Sequence, residues 1–527
     1  MTAERTWWRD GVLYQLYPRS FADSDGDGVG DLRGVVERLD YLQWLGIDGV
    51  WLNPITASPD DDWGYDVADY CAVHPALGDL DAADDLVARA GERGIRILLD
   101  LVPNHTSSRH PWFVDALTGR GARHRDWYVW ADPKPGGSPP NNWRSVFGGP
   151  AWTLDDASGQ YYLHNFLPTQ PDLNWWNEDV RAAFDDVLRF WFDRGVAGFR
   201  IDVAHAVVKD RDLRDNLPAT ERDHPSVQRF GQQHTFNMDQ PEVHDVIRRW
   251  RKIADSYDPP RVLVGETFLY DLERVARYYG RGDELHLAFN FPFALSELDA
   301  ATMRAAVELT ERVLPDDAWP VWMGSNHDIG RFPTRWCGDD DAKTRAALVV
   351  LLTLRGTPFL YYGDEIGMTN VDVPHDRLVD PVAHRSGPGD GRDPARTPMQ
   401  WSAAPNAGFT TPEARPWLPV GGGADVASQR DDPGSTLTLT RALIALRKRS
   451  RDLASGAYRT MRSPDGTWAF RRGDATAVAV NLSPAAAPVD GIHGIVAVAT
   501  DEGRAGERVS GTVELRPWEG LVVTPDG

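Results

Sequence analysis

Residues 198–205 read GFRIDVAH. Gly198, Phe199 and Ile201 make the short apolar run of a buried strand, yet Arg200 and Asp202 interrupt it. Residues i and i+2 of a strand point to the same side, so the two charges share one face. A buried ion pair is a weak source of stability, because desolvation can exceed the Coulombic gain. The pair therefore reads as chemistry set at the end of a strand, and the flanking sequence shows what kind of sheet holds that strand.

Eight runs of strand character follow one another: VLYQLYP, GIDGVWLNPI, GIRILLDLVPNH, GVAGFRIDVAH, RVLVGETF, LHLAFNF, VWMGSNHD and TPFLYYGDE. Between them lie segments of helical period such as LRGVVERLDYLQWLG, NEDVRAAFDDVLRFWFDRG and KTRAALVVLLTLRG, each ending at a glycine suited to a helix C-terminus. The alternation predicts an α/β fold, a (β/α)8 TIM barrel, with functional groups at the C-terminal strand ends. Two intervals break the rhythm. The first, from Thr106 to Asn174, is rich in Trp, Tyr, Gly and Pro and too long for a plain connection, so an inserted subdomain after strand 3 is expected. The second, from Thr369 to Ser435, carries GRDPARTPMQW. Beyond LTRALIALRKRS, the stretches TWAFRRG, ATAVAVNL and GTVELRPW alternate apolar and polar residues, which predicts a C-terminal antiparallel β-sandwich domain. The boundaries drawn are 1–105 and 175–452 for the barrel, 106–174 for the insertion and 453–527 for the β-domain.

The chain has 527 residues, with Lys+Arg 56 against Asp+Glu 78 and a net charge of −22. Nucleic acid and anionic membrane surfaces are poor partners for such a surface. The opening MTAERTWWRDGVLYQ lacks a cationic segment followed by an apolar run, and the apolar run from Ala346 to Leu354 is too short to span a bilayer. A cytoplasmic setting is expected, with Cys71 and Cys337 as reduced packing residues and the chain a monomer or small homo-oligomer.

Polar residues collect where the strands end. Strand three ends with Asp100, Asn104 and His105, strand four with Arg200, Asp202 and His205, strand five with Glu266, and strand seven with His327 and Asp328. A single Asp at such a place is commonly a helix cap. In a barrel all of these ends converge on one cup, and that joint occurrence points to catalysis.

DLVPNH, GFRIDVAH, VGETF and SNHD, in that order, resemble the four signature regions of the α-amylase family, glycoside hydrolase family thirteen. The resemblance runs over nearly the whole chain and implies retaining cleavage or transfer of α-glucosidic bonds. Asp202 matches the family nucleophile, Glu266 the general acid/base and Asp328 the third carboxylate; His105 and His327 match hydroxyl-binding histidines. A retaining mechanism needs one ionised carboxylate and one protonated carboxyl. Arg200 beside Asp202 favours the anion and fixes its orientation, and burial near Val264 and Phe268 would raise Glu266 toward the role of acid.

Three further segments resemble family elements that select substrate. In DDWGYD, Asp61–Asp66, Tyr65 matches the platform under the first sugar, and Asp66 reads as structural. Asp62 and Arg396, the latter in RDPARTPMQW, resemble the pair that closes the pocket in α-glucosidases; Arg396 takes the role by motif position, with Arg392 the alternative. A closed end implies exo action releasing one glucose. QPDLN, Gln170–Asn174, resembles the oligo-1,6-glucosidase-like branch, and Val203 matches members of it that accept α-1,6 links. DVAHAVVKD instead resembles α-glucosidases acting on short α-1,4 oligosaccharides, and the longer match favours a maltose-type substrate. Oligo-1,6-glucosidase, trehalose synthase and sucrose isomerase share the first step and remain alternatives. A non-catalytic relative would be expected to lose the carboxylates that are present here.

The loop DSDGDGVGDLRG opens like an EF-hand, but Gly34 stands where that motif has its bidentate Glu. The resemblance implies a structural Ca2+ here, held by Asp23, Asp25, Asp27, Asp31 and the Val29 carbonyl, with Mg2+ as the other candidate. No His/Cys spacing suggests zinc.

Overall fold

The computed structural model describes residues 6–387, 389 and 391–525. Eight parallel strands form the sheet at its centre: β1 Leu13–Leu16, β2 Gly49–Leu52, β3 Arg96–Leu101, β4 Gly198–Ile201, β5 Val262–Gly265, β6 Leu287–Ala288, β7 Val321–Met323 and β8 Thr357–Tyr361. Neighbours bond in the order 6-5-4-3-2-1-8-7, the wrapped order of a (β/α)8 barrel with β6 and β7 at the ends of the ladder. Each falls inside one of the eight runs read from the sequence. β1, β2, β4, β5, β7 and β8 are buried at every position, as strands covered on both faces must be. Helices Glu178–Asp193, Val243–Asp255, Ala300–Val313 and Asp341–Thr353 form part of the outer layer. The run expected as one helix, LRGVVERLDYLQWLG, breaks at Arg38 into Leu32–Glu37 and Leu39–Leu45. The Arg38 guanidinium lies 4.3 Å over Trp401, a contact with the distant loop that an unbroken helix would have to accommodate.

The interval after β3 builds a three-stranded antiparallel sheet, with Gln160–Leu163 between Trp130–Ala131 and Trp152–Asp155. Trp143, Ala151, Trp152 and Leu163 give it a small core of its own. The C-terminal strands between Tyr458 and Thr524 form one six-stranded antiparallel ladder. Its sandwich character comes from curvature. The long strand Ala487–Ala499 shifts register after Val489 and after Val496, and such irregularities bend a sheet. Ala469, Ala477 and Ala479 then face Val489, Val509 and Val513 across one core. The alternate residues Trp468, Phe470, Val478 and Val480 pack on the barrel, so each face is buried against something different. Cys337 lies in the main core and burial pushes its thiol up to about 12, which suits a protonated packing residue; Cys71 is also free of any disulfide. Among the described residues no helix is long and apolar enough to cross a membrane.

Register carries the fold to the site. Asp100 on β3 and Val264 on β5 both sit beside Arg200 of β4. The ladder runs on past the strand ends, with the Asp202 N–H bonded to Leu101 O at 2.8 Å and the Glu266 N–H to Ile201 O at 2.9 Å. β4 and β5 can lie this close only because Gly198 has no side chain: a Cβ there would stand 2.2 Å from Val262 O. Gly198→Ala should therefore lower stability by roughly 2–3 kcal/mol, seen as a reduced denaturation midpoint, since backbone cannot yield as a side-chain tip can. An unchanged midpoint would mean that the approach is not tight.

Candidate active site

Arg200 is completely buried and joins three carboxylates. Its Nη1 donates to Asp100 at 2.7 Å and to Asp202 at 2.8 Å, while Nη2 lies 2.7 Å from Glu266 Oε2. The last contact lacks hydrogen-bond alignment, so it is charge proximity; Glu266 Oε2 takes its aligned bond from the Val203 N–H at 2.9 Å. Asp100, which sequence reasoning noted at a strand end but gave no role, is thus central to the cluster. It also accepts from Trp51 Nε1 at 3.2 Å and from the Tyr65 hydroxyl at 2.9 Å.

Burial is the largest influence on these acids. It pushes Asp202 well above the usual carboxylate range, with Arg200 pulling down and Glu266 and Asp100 pushing further up. It raises Glu266 in the same way, opposed by Arg200 and reinforced by Asp328. Asp100 is brought to about 6 by the same balance of burial against Arg200. Asp328 differs: burial acts upward, but His327, Arg392, Arg396 and Arg200 outweigh it and hold the carboxyl low. Asp202 and Glu266 titrate as a pair that keeps a proton to higher pH than isolated carboxyls do, beside an Asp328 that stays ionised.

Tyr65 lies parallel to His327, with ring centres 5.2 Å apart and 4° between planes. The amide of Gln15 lies 2.8 Å from His327 Nδ1, which makes that nitrogen the acceptor and leaves Nε2–H for Asp328 at 3.1 Å and the Tyr65 hydroxyl at 2.6 Å. Burial drives the His327 pKa well down and keeps the ring neutral. Asp66 accepts from Ser58 and from the N–H groups of Asp61 and Asp62, so it shapes the loop, as expected of it.

The partner of Asp62 is Arg392, where the motif had favoured Arg396. Arg392 Nη2 donates to Asp62 at 2.7 Å and to Asp380 at 2.7 Å, and Nη1 reaches Asp328 at 3.2 Å. Arg396 instead lies wholly buried, donating from Nη2 to Asp328 at 3.0 Å and from Nε to His327 O at 3.0 Å. The 3-10 turn Asp393–Ala395 separates the two arginines and sends one to the cavity and the other beneath it.

The inserted segment supplies part of the wall through Val146, Phe147 and Phe166. His105 receives the Asn104 amide at Nδ1, 3.0 Å, and sits 2.9 Å from Tyr65 O through Nε2. Asn104 is held by Lys209 Nζ at 2.6 Å, and the same ammonium lies 2.8 Å from Asp172. Lys209 and Asp172 are both buried, so this ion pair locks the loop after β4 to the insertion. Gln170 of QPDLN reaches Asp62 at 3.0 Å. Asp172 and Lys209 lie inside QPDLN and DVAHAVVKD, but neither was singled out, because no local spacing connects the two. The resulting cavity, about 380 Å3, is lined by Asp62, Tyr65, His105, Asp202, Glu266 and Asp328, with Arg392 among them.

In the acidic loop, oxygens of Asp23, Asp25 and Asp27 lie within 4.8 Å of one another. Asp31 is outside that trio: it caps helix Leu32–Glu37, accepting from Gly34 N at 2.7 Å and from the Ser24 N–H and hydroxyl. Asp23 ties the loop to Thr410 at 2.5 Å. Gly28 is required by position, since φ is +96° and a Cβ would meet Arg415 O at 2.1 Å.

The profile of the family described as alpha amylase, catalytic domain, matches residues 15–456. A probable alpha-glucosidase of Rhizobium meliloti (strain 1021) is 42% identical over 470 residues, covering 86% of this chain and 84% of that protein. An oligo-1,6-glucosidase of Heyndrickxia coagulans is 38% identical, covering 86% and 87%. The crystal structure of the alpha-glucosyl transfer enzyme XgtA superposes with a TM-score of 0.91 at 40% identity, covering 98% of this chain and 99% of that one. The carboxylates at the barrel mouth and these likenesses agree: the chain belongs to the α-amylase family, glycoside hydrolase family thirteen, in its oligo-1,6-glucosidase and α-glucosidase branch.

Proposed function

We propose that the protein is a retaining, exo-acting α-glucosidase that removes α-glucose from the non-reducing end of short α-glucosides of maltose type. The observation that carries this reading is the inner end of the cavity. There Arg392 binds Asp62, Asp328 and Asp380 together, the arrangement that closing one end of an exo-acting pocket requires. One sugar unit would sit in the cavity over Tyr65, within reach of Asp62, His105 and Asp328.

Asp202, oriented by Arg200, attacks the anomeric carbon, and Glu266 gives its proton to the leaving oxygen. Glu266 then takes a proton from water as the covalent ester is cleaved. Asp328, kept ionised by its guanidinium neighbours, accepts sugar hydroxyls, and His105 and His327 hold others. Asp62 and Arg392 complete the grip. The maltose-type preference rests on the DVAHAVVKD match, and Val203 bears on the α-1,6 alternative. A second reading, transfer of the glucosyl group to a sugar, is favoured by the likeness to XgtA and shares every step up to the arrival of water.

Asp23, Asp25 and Asp27 fit a hard cation, because three carboxylates converge and oxygen is the donor such ions take. Ca2+, with Mg2+ as the other candidate, would supply a structural tie in this loop, with the Val29 carbonyl as a further donor, while Asp31 is committed to capping the next helix. A cytoplasmic setting suits an enzyme of small sugars with two free cysteines.

Four outcomes check this reading. With maltose followed by NMR, the first-formed sugar should be α-glucose, and Asp202→Asn should release none; β-glucose would place a water between the carboxylates instead. Trehalose or lengthened oligosaccharides as the main product would favour the transfer reading. The pH profile of kcat/KM should have both limbs above the ordinary carboxyl range of about 4. The working state of the pair holds one proton, with Asp202 ionised and Glu266 protonated, so activity appears as the first proton leaves the pair and fades as the second leaves, both above the ordinary range because both groups are raised. Glu266→Gln should lose the alkaline limb on an aryl glucoside whose leaving group needs no proton; a retained limb would assign the acid elsewhere. Chelation should lower Tm by roughly 3 °C, restored by Ca2+, with kcat at 25 °C unchanged, and an indifferent Tm would remove the cation from the account.

A further inference from the structure

We propose that a second cavity, apart from the catalytic one, binds a neutral polyhydroxyl compound, with a single sugar unit such as glucose as the class that fits. It lies between the start of helix Asp341–Thr353, the loop after β8 and the later part of the second irregular interval. Its volume is about 330 Å3, close to that of the catalytic cavity and within the range of small-molecule sites, roughly 300–1,000 Å3. The two cavities have no lining residue in common. The observation that points to a ligand is Gln400, in the stretch TPMQW, to which the catalytic reading gives no role. Gln400 is only 3% exposed and lines this cavity, yet among the described residues nothing bonds its amide. Buried polar groups are normally satisfied, so an amide left with two N–H groups and a carbonyl has them available to an occupant. Gly421 keeps it uncovered, since a Cβ there would stand 2.4 Å from Gln400 Nε2.

The rest of the lining supplies both halves of a hydroxyl's hydrogen bonding. Asp339 Oδ1 accepts from the Thr334 hydroxyl at 2.7 Å and Asp341 Oδ1 from the Thr436 hydroxyl at 2.6 Å, so the second oxygen of each carboxylate is left to accept. The N–H groups of Gly422 and Gly423 bond nothing among the described residues and are left to donate. Buried Ile366 and Met368 add an apolar surface for the C–H face of a ring. This pattern sets other ligands aside. No Lys or Arg lines the cavity, so an anion would meet two carboxylates with no counter-charge. A hard cation would use the carboxylates but not the N–H groups. Among the described residues, Asp23, Asp25 and Asp27 are the one group of side chains that converges as metal ligands do, and they lie elsewhere. A hydroxyl both donates and accepts, so a ligand dense in hydroxyls engages the carboxylates, the amide and the N–H groups together.

The test is NMR of the whole chain with methyl-labelled methionine. Met368 lines the second cavity and Met238 the catalytic one, so their methyl groups report the two sites separately. The signals are assigned with Met368→Leu and Met238→Leu. Titration with glucose should move the Met368 signal to saturation with a midpoint of its own. Gln400→Leu should raise that midpoint by about fivefold, the loss of one hydrogen bond, and leave the response of Met238 unchanged. If Gln400→Leu does not fold, Asp341→Ala, at an exposed position, should raise the midpoint in the same direction. A Met368 signal that glucose leaves still would overturn the proposal. So would a Met368 shift that the substitutions leave untouched, since it would then be transmitted from elsewhere. A shift produced by putrescine and not by glucose would make the occupant a cation and overturn the assignment to polyhydroxyl compounds.

Discussion

A guanidinium without solvent contact, Arg200, sets the terms for everything around it. Its positive charge is tolerable only because Asp100, Asp202 and Glu266 surround it, and those acids are tolerable together only because it is there. Removing one partner of such a cluster leaves an uncompensated buried charge, which costs several kcal/mol. The parallel ladder is what makes the arrangement possible. β3, β4 and β5 place Asp100, Arg200 and Val264 side by side, and the next turns of chain deliver Asp202 and Glu266 to the same end. As a means of stabilising the fold the cluster is expensive; as a means of holding two acids in fixed orientation with their titration raised, it is effective.

A second guanidinium repeats the device with a different result. Arg392 also collects three carboxylates, but Asp328 among them ends low in pKa where Asp202 and Glu266 end high. The difference lies in the ratio of charges. Asp328 feels Arg392, Arg396 and Arg200, whereas Asp202 and Glu266 share Arg200 and repel each other. The same small cavity therefore holds a permanent anion beside a pair that stores a proton. Lys209 adds a third buried cation, whose partners Asn104 and Asp172 tie the wall behind His105 to the barrel.

The barrel was legible because strands buried on both faces must be written as apolar runs, and all eight were. The strand-end carboxylates were legible because they interrupt such runs, and Arg200 with Asp202 does so most plainly. Local spacing failed where long-range contact decides. Arg392 and Arg396 are four residues apart in an irregular segment, and which of them meets Asp62 depends on the turn between them. Lys209 and Asp172 are partners across 37 positions with no period connecting them. The C-terminal strands were read from alternation, but alternation is silent on whether two faces belong to two sheets or to one sheet curled by its irregularities. A helix that its own residues favour breaks at Arg38, whose guanidinium lies over a tryptophan more than 360 residues away.

Val203 shows how these levels meet in one residue. Its φ of +34° is a conformation that β-branched residues avoid, at a cost on the order of 1–3 kcal/mol. The structure over-determines it: Ala204 N–H bonds Glu266 O at 2.9 Å and Ala206 N–H bonds Val203 O at 2.7 Å, so the chain on the far side of the kink is already held. Directly after Asp202, the kink turns the Val203 N–H onto Glu266 Oε2 and its side chain toward Phe147, Phe166 and Leu167. A relaxed backbone at this point would point that N–H elsewhere and leave Arg200 as the main polar partner of Glu266. The acid would then lose the aligned donor that fixes its carboxyl beside Asp202. One strained peptide thus links Asp202, Glu266 and the cluster of Phe147, Phe166 and Leu167.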